Sequence, residues 1–140
     1  MSSYCVVGSG ISGATIANLL SKKNSVDLYD KANGPGGRSS FKRLNKAKGF
    51  DHGVQYISPK SPAFKKFIKE LIKKKILKNW SGKHLFLNQI KVKKKNHIKI
   101  IGHKGNNDIS KYLLKNIKCY FQNGLKKIDY KKKKWILTFT

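Results

Sequence analysis

Acidic residues are scarce in this sequence: six Asp and Glu stand against 32 Lys and Arg in 140 residues, for a formal net charge of +26. Self-repulsion at that charge opposes compaction, so an ordered chain has to be argued from its patterning. Arginine is scarcer still. Only Arg38 and Arg43 are Arg, and the other basic residues are Lys. Proteins that read nucleic acids lean on Arg for bidentate contacts to phosphate and guanine. Lysine spread along a whole chain therefore reads as solvated surface charge, and no sequence-specific nucleic-acid partner is expected. Cysteine occurs twice, at Cys5 and Cys119, with no CxxC pair. That spacing excludes a disulfide framework and a thiolate zinc site, and it suggests two buried thiols in a reducing compartment. His84, His97 and His103 show no ligand spacing, so no metal is expected. No apolar run approaches the roughly eighteen residues of a membrane span, and no basic head precedes the first apolar run. A cytoplasmic location without a membrane span is the expectation.

What is present is ordered apolar periodicity. Hydrophobic residues make up 39% of the chain, with seven Phe, six Tyr and two Trp. Residues 4–7 form a short apolar run of buried-strand type that ends in glycines. Residues 11–21 read as a helix in which Ala14 and Ala17 are small enough for close packing. Residues 26–30 alternate and read as a second strand. The three together predict a parallel β-α-β unit. Residues 32–40 form a glycine-proline loop, residues 49–53 a tight turn, and residues 54–57 a short strand. Ser61-Pro62 starts a helix, with Ser as cap and Pro in the first turn; its apolar stripe predicts an end near Asn79. Residues 85–92 and 97–101 read as a hairpin. Asp108 is expected to cap a helix over 109–116, and strands are expected over 119–121, 125–130 and 135–139.

The chemistry begins at Gly8-Ser9-Gly10-Ile11-Ser12-Gly13. A GxGxxG string alone is weak evidence, but this one follows a strand, opens a helix and is followed by Asp30 at the end of the next strand. That is the context a dinucleotide site requires. Gly8 permits the tight turn, Gly10 lets backbone approach a pyrophosphate, and Gly13 lets the helix pack against the strands. The amides of Ile11 and Ser12 lie at a helix start, which attracts phosphate. Asp30 is placed to accept from a ribose 2′-hydroxyl, with Lys31 beside it among the cofactor contacts. This unit alone does not separate NAD from FAD, since both present adenosine diphosphate.

The next loop does separate them. Gly34-Pro35-Gly36-Gly37-Arg38-Ser39 resembles the GxGGRxx element of the flavin-containing amine oxidase superfamily. Within it the sequence looks most like the renalase-like FAD-dependent oxidoreductases. Phe50-Asp51-His52-Gly53-Val54-Gln55-Tyr56 is similar to the DHGAQYF-type stretch of that group, and Trp80 stands where its members carry a tryptophan. Residues 102–114 are similar to a segment beginning G-x-x-G-M, with Asn106 in place of the methionine. The resemblance implies an α/β chain: a Rossmann-like FAD-binding domain of the GR2 flavoprotein type, with the start of a β-rich substrate domain. It implies FAD as cofactor, Gly36, Gly37 and Arg38 at the pyrophosphate, and backbone of Gly53, Val54 and Gln55 at the isoalloxazine. The expected organisation is 1–58 for the β-α-β unit and GGR loop, 59–104 for the substrate region, and 105–140 for the return to the FAD domain.

Two departures accompany the resemblance. The group usually has Glu where Asp30 stands, one methylene longer. Its members are also considerably longer, so the chain is expected to be an N-terminal portion lacking most of the substrate pocket. The expected reaction is hydride transfer from a reduced small molecule, NAD(P)H-like or an amine, to flavin. No catalytic acid or base is nominated; His52 reads as a structural imidazole. The competing readings are an NAD(P)-binding module without turnover, and a lysine-rich binder of anionic surfaces, the latter suggested by the basic amphipathic helix behind Pro62.

Overall fold

The computed structural model describes residues 2–45, 48–81 and 99–140. Strand β1 (Ser3–Val7), helix α1 (Ile11–Leu20) and strand β2 (Ser25–Asp30) form the opening unit, and β1 pairs with β2 in parallel. The alternation in β2 turns Val26, Leu28 and Asp30 to one buried face. Ala14 and Ala17 of α1 are fully buried, as their small side chains allow. After a long excursion the chain returns as β7 (Lys118–Phe121), which pairs in parallel with the far side of β2. The sheet order is thus β1-β2-β7.

Within the excursion, β3 (Phe41–Arg43) pairs with β4 (Gly49–Asp51), and β5 (Leu77–Asn79) pairs with β6 (Ile100–Gly102). Helix α2 (Pro62–Lys73) starts as expected, with Ser61 Oγ accepting from the Phe64 amide. Its buried Ile68 and Leu71 join a core that also takes in Leu77, Ile100, Ile109 and Leu113. Helix α3 (Asp108–Leu113) lies against α1, where Asn18 Nδ2 donates to the Leu113 carbonyl at 2.7 Å. The chain closes with the hairpin of β8 (Leu125–Lys131) and β9 (Lys134–Phe139), antiparallel and joined through Lys132 and Lys133, both at positive φ. Phe139 stacks on Tyr29 at 4.0 Å, which seats the end of the hairpin on the sheet.

Several sequence expectations are corrected. Helix α2 ends at Lys73 because Lys75 turns to φ 57°, and residues up to Asn79 leave as β5. Residues 49–51 form a strand where a turn is expected, since they pair with β3 across the loop. Residues 54–57 form no strand beyond a single bridge from Ile57 to Ile100. The N-cap of α3 is Asn107. Asp108 lies inside the first turn and accepts instead from the amides of Lys104 (2.7 Å) and Gly105 (3.2 Å). Cys5 is exposed, because it lies on the sheet face that α1 does not cover, and Cys119 is partly buried. The expected strand over 85–92, the turn that follows it, His84 and His97 lie outside the described residues.

Candidate functional site

The site grows out of the turn between β1 and α1. Gly8 sits at φ +98°, a conformation that L side chains rarely adopt, and its amide donates to the Tyr29 carbonyl at 2.8 Å. Gly13 is required for a different reason. A Cβ built on it would lie 1.9 Å from the Gly8 carbonyl oxygen, so the helix approaches the turn as closely as hydrogen allows. Gly10 differs from both. Its φ of −64° and ψ of 175° suit any residue. A Cβ there would meet nothing closer than Gly37 Cα at 3.8 Å. A methyl at Gly10 would therefore rest at ordinary contact distance from the Gly36–Gly37 backbone and clash with nothing.

Gly10 is also the N-cap of α1 and supplies no side chain to the helix start. The first amides of a helix have no acceptor within it, and they carry its partial positive charge. Ile11 and Ser12, where those amides lie, are exposed.

The second glycine loop comes directly against the first. Gly36 donates its amide to the Ser9 carbonyl at 3.1 Å, and Gly10 and Gly36 form a parallel bridge. Gly36 is buried at φ +140°, where a Cβ would strike Asn107 Cβ at 2.8 Å. Arg38 follows in a single 3-10 turn (Gly37–Ser39). It is exposed, and its guanidinium makes no hydrogen bond or ion pair among the described residues.

The third segment is tied to the second. The Val54 amide donates to the Arg38 carbonyl at 2.9 Å, and a Cβ on Gly53 would lie 2.0 Å from the same oxygen. Gly53, Val54 and Gln55 are exposed. His52 is exposed too, with Nε2 at 3.0 Å from Ser40 Oγ. Trp80 lies beside Tyr56, ring centroids 5.8 Å apart, with Lys99 Nζ 4.6 Å from the Tyr56 centroid. His103 is exposed, and no cluster of metal-binding side chains occurs among the described residues.

Asp30 ends β2 below the first turn, 9% exposed. Its Oδ2 accepts from the Ser9 amide at 2.6 Å and from the Ser9 hydroxyl, and its Oδ1 accepts from the Ala32 amide at 2.8 Å. Burial pushes this carboxyl up. The Ser9 hydroxyl, the Ala32 and Ser9 amides and the Lys31 charge outweigh it and hold the group below the usual carboxylate range. Beside it runs a groove of about 260 Å³ lined by Val7, Gly8, Asp30, Lys31, Gly124 and Leu125.

Sequence reasoning did not find Gly124 and Leu125, which reach the site only because β7 pairs with β2 from 91 residues away in sequence. It also assigned no site role to Asn106, noted only as standing in place of a methionine, or to Asn107. Asn106, 1% exposed, donates from Nδ2 to the carbonyls of Val54 (2.6 Å) and Gln55 (3.2 Å) and accepts from the Gly102 amide at 2.9 Å. Its own amide donates to Asp51 Oδ1 at 2.8 Å. Asn107 Nδ2 donates to the Pro35 carbonyl at 3.2 Å. The substitution of Asn for an apolar residue at 106 was the available signal, since a buried amide needs partners.

Comparison with known proteins agrees with this geometry. A family described as the NAD(P)-binding Rossmann-like domain matches residues 6–71. The chain is similar to the tetracycline destructase Tet(51), at 15% identity and a TM-score of 0.56, covering 99% of this chain and 35% of that one. It is similar also to a flavoprotein/dehydrogenase from Cytophaga hutchinsonii, at 14% identity and a TM-score of 0.52, covering 96% of this chain and 33% of that one. The chain spans about a third of the length of these two structures. Parallel β1, β2 and β7, the glycine turn at the start of α1 and the acid ending β2 make this a Rossmann-like fold of the kind shared by NAD(P)- and FAD-binding domains.

Proposed function

We propose that this chain binds FAD and forms the N-terminal part of a flavin-dependent oxidoreductase. The observation that carries the proposal is the junction of the two glycine loops: the Gly36 amide on the Ser9 carbonyl, and Gly10 bridged to Gly36. A pyrophosphate lying against the α1 start would meet helix amides from one loop and a cation from the other. Arg38 fits that role, being exposed, unengaged and fixed in sequence two residues after Gly36. A guanidinium binds phosphate in a planar, bidentate way that a lysine does not match. At Gly10 a side chain would touch the Gly36–Gly37 backbone without clashing, whereas at Gly13 and Gly36 the protein's own atoms already fill that space.

In this reading the pyrophosphate lies against the backbone of Gly10, Ile11 and Ser12 with Arg38 as its cation, while Gly8, Gly13, Gly36 and Gly37 shape the two turns that present them. The adenosine end takes the groove beside Lys31, Gly124 and Leu125. Gly53, Val54 and Gln55, the last two pinned by Asn106, present backbone toward the flavin ring. FAD, when bound, supplies hydride acceptance, and the protein supplies position and electrostatics. The renalase-like resemblance at residues 50–56 supports a small reduced molecule as hydride donor, with the rest of the substrate pocket contributed by sequence beyond this chain. Purified protein titrated with FAD should quench the flavin fluorescence, and Arg38→Ala should weaken that binding.

A second reading is favoured by the family match itself, whose description names NAD(P). A colourless protein stabilised by NADH and indifferent to FAD would establish it in place of the first.

A further inference from the structure

The acid that ends β2 is expected to read the ribose, and the geometry points to another role. We infer that Asp30 acts on the protein rather than on the ribose: it is a positioning residue that clamps Ser9, and through it the pyrophosphate turn. The inference rests on the dinucleotide reading above and assigns the acid within that site a different task.

An ionised carboxylate offers about four acceptor positions. Three are already taken by protein donors: the Ser9 amide and hydroxyl on Oδ2, and the Ala32 amide on Oδ1. Asp30 is only 9% exposed and Ser9 is wholly buried. The Ser9 carbonyl in turn accepts from Gly36. The carboxylate therefore fixes the Gly8–Ser9 peptide and the Ser9 side chain, Gly36 fixes the Ser9–Gly10 peptide, and Ser9 links the two glycine loops. Side-chain length fits the assignment. An aspartate at the end of β2 reaches Ser9, the middle of the turn, and stops there. Asp30 still forms part of the wall of the adenosine groove, with Val7, Gly8, Lys31, Gly124 and Leu125, but it brings there at most one acceptor position not already taken by the protein.

Two consequences separate a clamp from a ribose ligand. The Ser9 amide should exchange slowly with solvent deuterium in the ligand-free protein, and Asp30→Asn should speed that exchange by about tenfold or more. Ser9→Ala, which removes the hydroxyl and keeps the amide, should retain most of the protection. The second test pairs the protein variants with a ligand-side deletion. ADP and 2′-deoxy-ADP should bind the parent within about twofold of one another, and Asp30→Asn should weaken both by the same factor. A parent that binds 2′-deoxy-ADP about fivefold or more weakly, with the difference gone in Asp30→Asn, would overturn the inference. So would Ser9 exchange that ignores Asp30→Asn in a protein whose circular dichroism is unchanged. If neither nucleotide binds, the dinucleotide reading fails, and the amide exchange, measured without ligand, still decides whether the clamp exists.

Discussion

Two alanine substitutions three residues apart should have opposite consequences, and the difference follows from space. At Gly13 a methyl would sit 1.9 Å from the Gly8 carbonyl oxygen, whereas ordinary contact begins near 3.4 Å. Helix α1 must withdraw by about 1.5 Å, and the Gly8 side of the contact cannot yield freely, since the Gly8 amide is bonded to Tyr29 in β2. Overpacking of this kind costs about 1–3 kcal/mol, and a backbone clash belongs at the upper end. A loss of about 3 kcal/mol lowers Tm by on the order of 10 °C in a domain of this size. At Gly10 the methyl meets nothing within 3.8 Å and the backbone is already in a region that suits alanine. Two small effects oppose each other there. Alanine is a poorer N-cap than glycine by a few tenths of a kcal/mol or more, and the unfolded chain loses about 0.4–1 kcal/mol worth of freedom. Stability should therefore stay within about 0.5 kcal/mol of the parent. Binding should not, because the methyl would sit at the junction of the two glycine loops, against which the pyrophosphate is proposed to lie. Loss of one charge-assisted hydrogen bond, about 1.5–3 kcal/mol, weakens FAD roughly ten- to hundredfold. Thermal melting and FAD fluorescence quenching on the same three proteins measure both quantities. A folded Gly10→Ala protein that binds FAD like its parent would refute the placement of the cofactor, and a Gly13→Ala protein that melts like its parent would refute the packing.

Arg38→Ala should weaken FAD by about tenfold and NADH by much less, as parallel titrations would show; equal losses would remove the case for a flavin-specific arginine. The Asp30 carboxyl lies below its ordinary value in the folded protein. Its stabilisation is therefore complete above the unfolded carboxylate range and is lost as pH falls through the depressed folded value. Urea unfolding should show Asp30→Asn about 2 kcal/mol less stable at pH 7, with the gap closing only under acid conditions below about pH 4. Lys132 and Lys133 hold the β8–β9 turn at φ 49° and 62°. Replacing the pair by Asn-Gly should raise stability by about 1 kcal/mol, or roughly 3–5 °C in Tm.

Much of this molecule was readable before its fold was known, and the boundary between legible and hidden is physical. Strand, glycine turn, helix and strand over residues 3–30 are local, so periodicity and turn chemistry sufficed. The end of α2 was not legible, because Ile76 and Leu77 continue an apolar pattern that a helix and a strand share; only the positive φ at Lys75 and the pairing of β5 with β6 decide between them. Cys5 reads as buried when one assumes that both sheet faces are fully covered, and here the face opposite α1 is covered only in part, where Phe139 of the hairpin stacks on Tyr29. Gly124 and Leu125 enter the site through a strand pairing that no local pattern announces. Asp30 shows a subtler gap. Its position was predictable from spacing, but the occupancy of its oxygens depends on where Ser9 turns its amide and hydroxyl.

The most direct measurement is titration of the purified 140-residue protein with FAD, followed by flavin fluorescence and by isothermal calorimetry with ADP as competitor. The account predicts saturable one-to-one binding that ADP displaces and that Gly10→Ala weakens roughly ten- to hundredfold. Flavin fluorescence that stays constant through the titration, with no heat from ADP and a correctly folded protein in the cell, would contradict it.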